Sequence, residues 1–368
     1  MNWLHRYTKL VVLSTVLLIA AGGMVTSTDS GLSVPDWPTT YGWTMFSFPM
    51  DKWVGGIFYE HGHRLIASTV GFLTIILALW TWRIEARPWM RKLGFTALGA
   101  VILQGLLGGI TVLLFLPAPI SIGHAALAQL FFCITVSLAL FTSTGWREGP
   151  PADDDRALRR VAAATTVIIY AQILLGATMR HTEAGLAIPT FPLAFGHVLP
   201  PVWSAAIAIH FAHRAVALVV IAAILATAAH VRRHHRGRRD LTRPAALLVL
   251  LVITQATLGA FVILSGLQPF INTLHVVNGA LVLGTSLVLT LRAYRPVFDV
   301  EAVPGQRAGL ARLRSRQNEG ELRRGRAVAA SRRRRGIRDS GFGKTSPEAR
   351  APSAIGHNRA GAQGGARS

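Results

Sequence analysis

Cysteine is nearly absent: Cys133 is the one thiol in 368 residues. That excludes an intramolecular disulfide, a cysteine-based zinc site and an iron–sulfur cluster within the chain. Cys133 falls in the middle of an apolar run and reads as a small buried apolar residue. Charge is scarce, at 15% of residues, and acidic charge scarcest, with 17 Asp and Glu against 38 Lys and Arg. The apolar stretches also lack period-2 alternation, which excludes a transmembrane barrel.

What is present is hydrophobic sequence in long uninterrupted pieces. The chain is 51% hydrophobic with a mean hydropathy of +0.41. Eight runs, near residues 9–27, 58–82, 93–116, 121–145, 158–179, 203–229, 244–266 and 271–294, each approach the ~20 residues that cross a bilayer as a helix. Helix is required, because in lipid the backbone must satisfy its own hydrogen bonds. The first run has basic residues ahead of it but is followed by a loop that recurs later, so it is expected to be a retained helix and not a cleaved leader.

Basic residues sort the links. Arg83, Arg87, Arg91 and Lys92 follow run two, Arg147, Arg156, Arg159 and Arg160 follow run four, and Arg232, Arg233, Arg236, Arg238, Arg239 and Arg243 follow run six. The other links hold almost none. The positive-inside rule then places these links and both termini of a multi-pass membrane protein in the cytoplasm, or on the matrix side if the protein were mitochondrial; a bacterial inner membrane is the expected location. About half of the net charge of +21 sits beyond residue 298, where 16 Lys and Arg face 6 Asp and Glu. This segment is rich in Arg, Gly and Ala without periodicity. It reads as a disordered tail attracted to anionic lipid, not as a nucleic-acid-binding element.

The chain repeats itself. GLSVPDWPTTYG at 31–42 returns as GLAIPTFPLAFG at 185–196, Gly22 returns as Gly176, and Gln104-x-x-x-Gly108 returns as Gln255-x-x-x-Gly259. Fixed prolines and glycines specify shaped outer loops, while the small helix residues permit close approach. The expected fold is an all-α integral membrane protein, with eight transmembrane helices as two tandem four-helix bundles. Its divisions are residues 1–145, a cytoplasmic linker 146–160, a second half 161–295 and a tail 296–368.

Four histidines follow the repeat. His63 and His124 in the first half recur as His213 and His275, at offsets of 150 and 151 residues. Helices two and four of an up-down bundle both start at the outer surface, so each pair lies at similar depth. Ionisable side chains there are costly and tend to be functional, and imidazoles on facing helices are suited to clamping a heme iron from both sides. Two imidazoles without carboxylate or thiolate company make an incomplete zinc or copper site. Arg64 and Arg214 directly follow two of the ligands and suit heme propionates, with snorkelling to headgroups as the alternative. The halves differ three residues before the first ligand: Glu60 in one, His210 in the other. A carboxylate beside one heme only points to proton handling there, against the alternative of an ion pair with Arg64. Asp29, Asp36 and Asp51 read as loop or capping residues. His5, His181, His197, His230, His234, His235 and His357 carry little signal.

The stretches TSTDSGLSVPDWPTTYGW from Thr26, YEHGHRLIAS from Tyr59 and QGLLGGITV from Gln104, with the duplicated histidines, resemble the heme A synthase family over about residues 1–295. The resemblance implies oxidation of the C8 methyl of heme O to the formyl group of heme A for cytochrome oxidase assembly. It implies heme O or heme A as substrate and product on His63 and His124, a resident heme b on His213 and His275, and Glu60 as the catalytic carboxylate. It further implies heme O supplied by a prenyltransferase, an unidentified electron donor, contact with the oxidase assembly machinery, and an oligomeric state left open. Some members carry a cysteine pair in the first outer loop, and this chain has none there. The residues alone also allow a non-enzymatic two-heme cytochrome taking electrons from quinol, or a transporter. The chain is not itself the prenyltransferase, since Asp153, Asp154 and Asp155 lack helical spacing and sit in a polar link.

Overall fold

All eight apolar runs are membrane-length helices, because each is long enough to span the hydrocarbon layer and satisfies its backbone internally. The computed structural model describes residues 3–149 and 154–300. In chain order the helices are α1 (Trp3–Ser27), α2 (Gly56–Ile84), α3 (Pro88–Leu113), α4 (Ala118–Thr142), the short α5 (Thr144–Arg147), α6 (Arg156–His181), α7 (Ala205–His234), α8 (Arg239–Leu264) and α9 (Pro269–Val300). Among the described residues there is no strand beyond two isolated bridges, Thr40 with Trp43 and Ala194 with His197.

Local sequence sets the helix ends. Pro88 and Pro119 stand in the first turns of α3 and α4, where a missing N–H costs nothing. Asp155 caps α6 by accepting from the Leu158 amide at 2.9 Å, and Ser204 caps α7 by accepting from Ile207 at 3.2 Å. Several boundaries differ from expectation, three of them at the divisions of the chain. The fourth run does not continue to residue 145, because Ser143 turns extended and caps α5. Helix α6 starts at Arg156, inside the expected linker, and α9 continues past residue 295 to Val300. The tail expected to be disordered lies, from residue 301 on, outside the described residues.

Helices α1 to α4 pack as a closed ring, α1 on α2, α2 on α3, α3 on α4 and α4 back on α1; α6 to α9 do the same. The rings join through α1 on α9, α4 on α6 and α4 on α9. Half of the span residues of α4 and α9 are buried, against 17–28% in the other spans, so these two helices form the centre. The apolar surface left exposed on the outer helices, such as Leu13, Phe72, Leu218 and Leu250, is the surface a bilayer would solvate. Polar pairs fasten the inner contacts, including Thr166 to Ser286 and Thr290 at 2.8 Å each.

At the basic end, Asp155 Oδ2 accepts from His230 Nε2 at 2.7 Å and His235 Nε2 at 2.9 Å. Partial desolvation would raise the Asp155 pKa, but the His230, Leu158 and His235 donors outweigh it and hold the carboxyl well below the usual range. Two histidines of little sequence signal thus tie α7 to the start of α6.

Candidate functional site

Each of the four histidines lies against a glycine of the preceding helix. The imidazole Cε1 stands where a Cβ on that glycine would be 3.0–3.1 Å away: His63 against Gly22, His124 against Gly108, His213 against Gly176 and His275 against Gly259. Any side chain there would displace the ring, so the glycines set its position. None of the four rings is fully buried. The two of each half lie within electrostatic reach, His63 with His124 and His275 with His213.

Glutamines complete three of the four seats. Gln104 Nε2 donates to the backbone carbonyl of His124 at 3.0 Å and lies 3.2 Å from its Nε2. Gln172 does the same for His213, at 2.9 Å from the carbonyl and 3.2 Å from Nδ1, and Gln255 for His275, at 3.1 Å and 3.2 Å. Gln255 is itself held, its Oε1 accepting from Asn278 Nδ2 at 2.7 Å. In each case the glutamine stands four residues before the glycine. At the fourth seat that position is Leu18, four residues before Gly22. Sequence reading placed Gln104 and Gln255 in a packing motif and overlooked Gln172; the threefold Gln-x-x-x-Gly pattern was the available signal.

The two outer loops have one construction with different donors and acceptors. In the first, Asp36 accepts from Thr39 Oγ1 at 2.5 Å and from the amides of Tyr41 and Gly42 at 2.7 and 2.9 Å. Desolvation opposes ionisation of Asp36, but these donors win and lower its pKa. In the second, Thr190 does this work, accepting from the Phe195 amide at 2.7 Å. Gly42 and Gly196 follow with φ of 76° and 83°, a left-handed conformation that glycine adopts without strain.

Below the first loop, Glu60 accepts from the Val34 amide at 2.7 Å and from Arg64 at 2.6 Å, both residues buried. Arg64 also donates to the carbonyls of Asp36 (2.7 Å), Thr39 (3.0 Å) and Val34 (2.8 Å). Its four terminal N–H groups are therefore all engaged in the loop and Glu60. In the second half, His210 Nδ1 lies 3.1 Å from the Ala184 carbonyl and 3.3 Å from the Ile188 amide, donating to the one or accepting from the other according to its tautomer, and Arg214 donates once, to the Ile188 carbonyl at 2.8 Å. Arg214 Nε and Nη1 are buried without a protein partner, as is Nδ1 of His63, His124 and His275. Leaving such buried polar atoms unpaired is costly, and a dianionic ligand bearing a metal would satisfy both kinds, the anionic groups accepting from the guanidinium and the metal taking an imidazole lone pair. The donor set fits heme: paired imidazoles, glycines that make room beside them, and a guanidinium with donors to spare.

The chain is similar to known proteins over most of its length. A family model described as cytochrome oxidase assembly protein, COX15-CtaA, matches residues 5–288 and again 205–313. The chain is 30% identical over 298 residues to a heme A synthase of Shouchella clausii, covering 79% of this chain and 95% of that one. It is 29% identical over 285 residues to a heme A synthase of Halalkalibacterium halodurans, covering 74% and 92%. A third, from Symbiobacterium thermophilum, is 30% identical over 275 residues, covering 71% and 87%.

Proposed function

Because the chain belongs to the COX15-CtaA family of cytochrome oxidase assembly proteins, we propose that its two histidine pairs are the heme seats of a membrane oxidoreductase that oxidises heme O to heme A. The observation that carries this reading is the fourfold seat of histidine against glycine, set as one pair per ring of helices. The matching packing of the two rings supports their descent from one repeated four-helix unit.

His63 and His124 would hold the substrate heme, and His213 and His275 would hold a resident heme b, whose iron would supply electron transfer. When bound, these groups supply the redox-active iron and the methyl that is oxidised; the protein supplies position and proton handling. Arg214 keeps donors for a propionate of the resident heme, whereas Arg64 serves through the outer loop and Glu60. Two oriented imidazoles would fix the macrocycle, and the loop from Val34 to Gly42 is fastened to the helix that carries His63 through Glu60 and Arg64.

Glu60 is the catalytic carboxylate. His210 meets the backbone of the second loop, at Ala184 and Ile188, without a carboxylate, so loop architecture alone does not require an acid at this position. The Glu60 carboxylate, held between Val34 N–H and Arg64, takes a proton released as the methyl is oxidised. The basic links support a topology with both termini on the cytoplasmic side of an inner membrane, with heme O arriving from a prenyltransferase and heme A passing to oxidase assembly.

The test is expression of the full chain beside a heme O source in a host lacking heme A, followed by chromatography of extracted hemes with mass detection. Heme A or its hydroxylated intermediate is expected. Heme b alone, with heme O untouched and the protein loaded, would instead identify a two-heme electron-transfer cytochrome.

A further inference from the structure

The four seats are alike in glycine and unlike in glutamine, and the exception falls in the half assigned to substrate. His275 is braced by Gln255, which Asn278 holds in turn, and His213 and His124 are braced by Gln172 and Gln104. His63 has no such brace: the corresponding position is Leu18, which packs into the first-half core among apolar neighbours. Its ring Nδ1 is buried without a protein partner, as are those of His124 and His275; what His63 lacks among the described residues is the glutamine, and Gly22 packs against its ring.

A substrate must enter its seat and a product must leave it, whereas a resident cofactor need do neither. A heme held by two fixed imidazoles leaves slowly, since both bonds must break against rings that cannot swing aside. We propose that His63 is the ligand that releases when heme O enters and heme A departs, and that Leu18, in place of a bracing glutamine, is the residue that permits it. Leu18 is thus a positioning residue acting through His63. His124 keeps the macrocycle registered on the other face during exchange, and both ligands of the resident seat stay fixed. The inference rests on assigning the first seat to substrate.

The test uses full-length protein purified with heme O or heme A in the first seat and heme b in the second. Transfer of each heme to excess apomyoglobin is followed by chromatography. The wild-type protein is expected to give up heme O and heme A faster than heme b. Leu18→Gln should slow that first-seat loss roughly two- to tenfold, the factor for one net hydrogen bond, without changing heme b loss. Gln172→Leu should speed heme b loss by a similar factor. Carbon monoxide binding to the reduced protein, which needs an open iron position, should fall at the first seat in Leu18→Gln and rise at the second in Gln172→Leu. Leu18→Met, apolar and of similar volume, should behave as wild type. First-seat loss unchanged in a Leu18→Gln protein that still holds two hemes would overturn the proposal, as would equal release of heme O and heme b from wild type. If Leu18→Gln does not fold, the wild-type comparison and Gln172→Leu decide alone. Loss of heme O with heme b kept in His213→Ala or His275→Ala would show that the seat assignment itself is at fault.

Discussion

Replacing Glu60 by glutamine separates the carboxylate's chemistry from its role as a loop anchor. The Val34 amide donates to one Glu60 oxygen at 2.7 Å and Arg64 to the other at 2.6 Å. A glutamine offers one oxygen and one NH2, so one of these donors is left facing a second donor in a buried site. An orphaned buried donor costs about 1–3 kcal/mol. Glu60→Ala, which strands the Arg64 charge as well, falls nearer the ~3–5 kcal/mol of a broken buried pair. Removing both charges in Glu60→Gln with Arg64→Met leaves no unpaired charge, so the double variant should lose less stability than the sum of the singles. Thermal unfolding of purified protein reads this part. Heme A formation reads the other: Glu60→Gln should fall about 10²–10⁴-fold, the range for loss of a proton-transfer group, while still holding both hemes. A Glu60→Gln protein making heme A at the normal rate would refute the catalytic role. Additive stability losses in the double variant would refute the ion-pair reasoning.

Gly176→Ala places a Cβ 3.0 Å from His213 Cε1, tilting that imidazole; electron paramagnetic resonance of the oxidised protein should show a shifted low-spin heme signal, and an unchanged spectrum would mean that the ring does not rest on this glycine in solution. Arg214→Met removes the two unpartnered donors and should weaken retention of the second heme by about 1.5–3 kcal/mol, the worth of a charge-assisted hydrogen bond, seen as heme lost per chain on gel filtration. Asp155 has a lowered folded-state pKa, so its contribution is present above the ordinary carboxylate pKa near ~4 and is lost as pH falls below it. Asp155→Asn, which keeps the cap on Leu158, should therefore flatten the decline in unfolding temperature below that pH, and Asp155→Ala should cost about 1 kcal/mol more through the lost cap.

The sequence alone was enough for the membrane-spanning helices and the four histidines, and the reason is physical. A lipid environment forces each long apolar run into a helix, and a histidine within such a run stands out against apolar neighbours. The repeated GLSVPDWPTTYG and GLAIPTFPLAFG segments likewise announced shaped loops, since proline and glycine act on their own backbone. Contacts between segments distant in sequence were not legible. Nothing in the order of residues says that Gln172 reaches His213, 41 residues on, or that Asp155 gathers His230 and His235 from the far end of α7. Arg64 and Arg214 look equivalent as letters, yet one spends every terminal donor on its loop and Glu60 while the other keeps buried donors unpaired. That difference arises because Asp36, Thr39 and Glu60 converge on one guanidinium and their counterparts do not converge on the other, a matter of where side chains meet once the helices have packed.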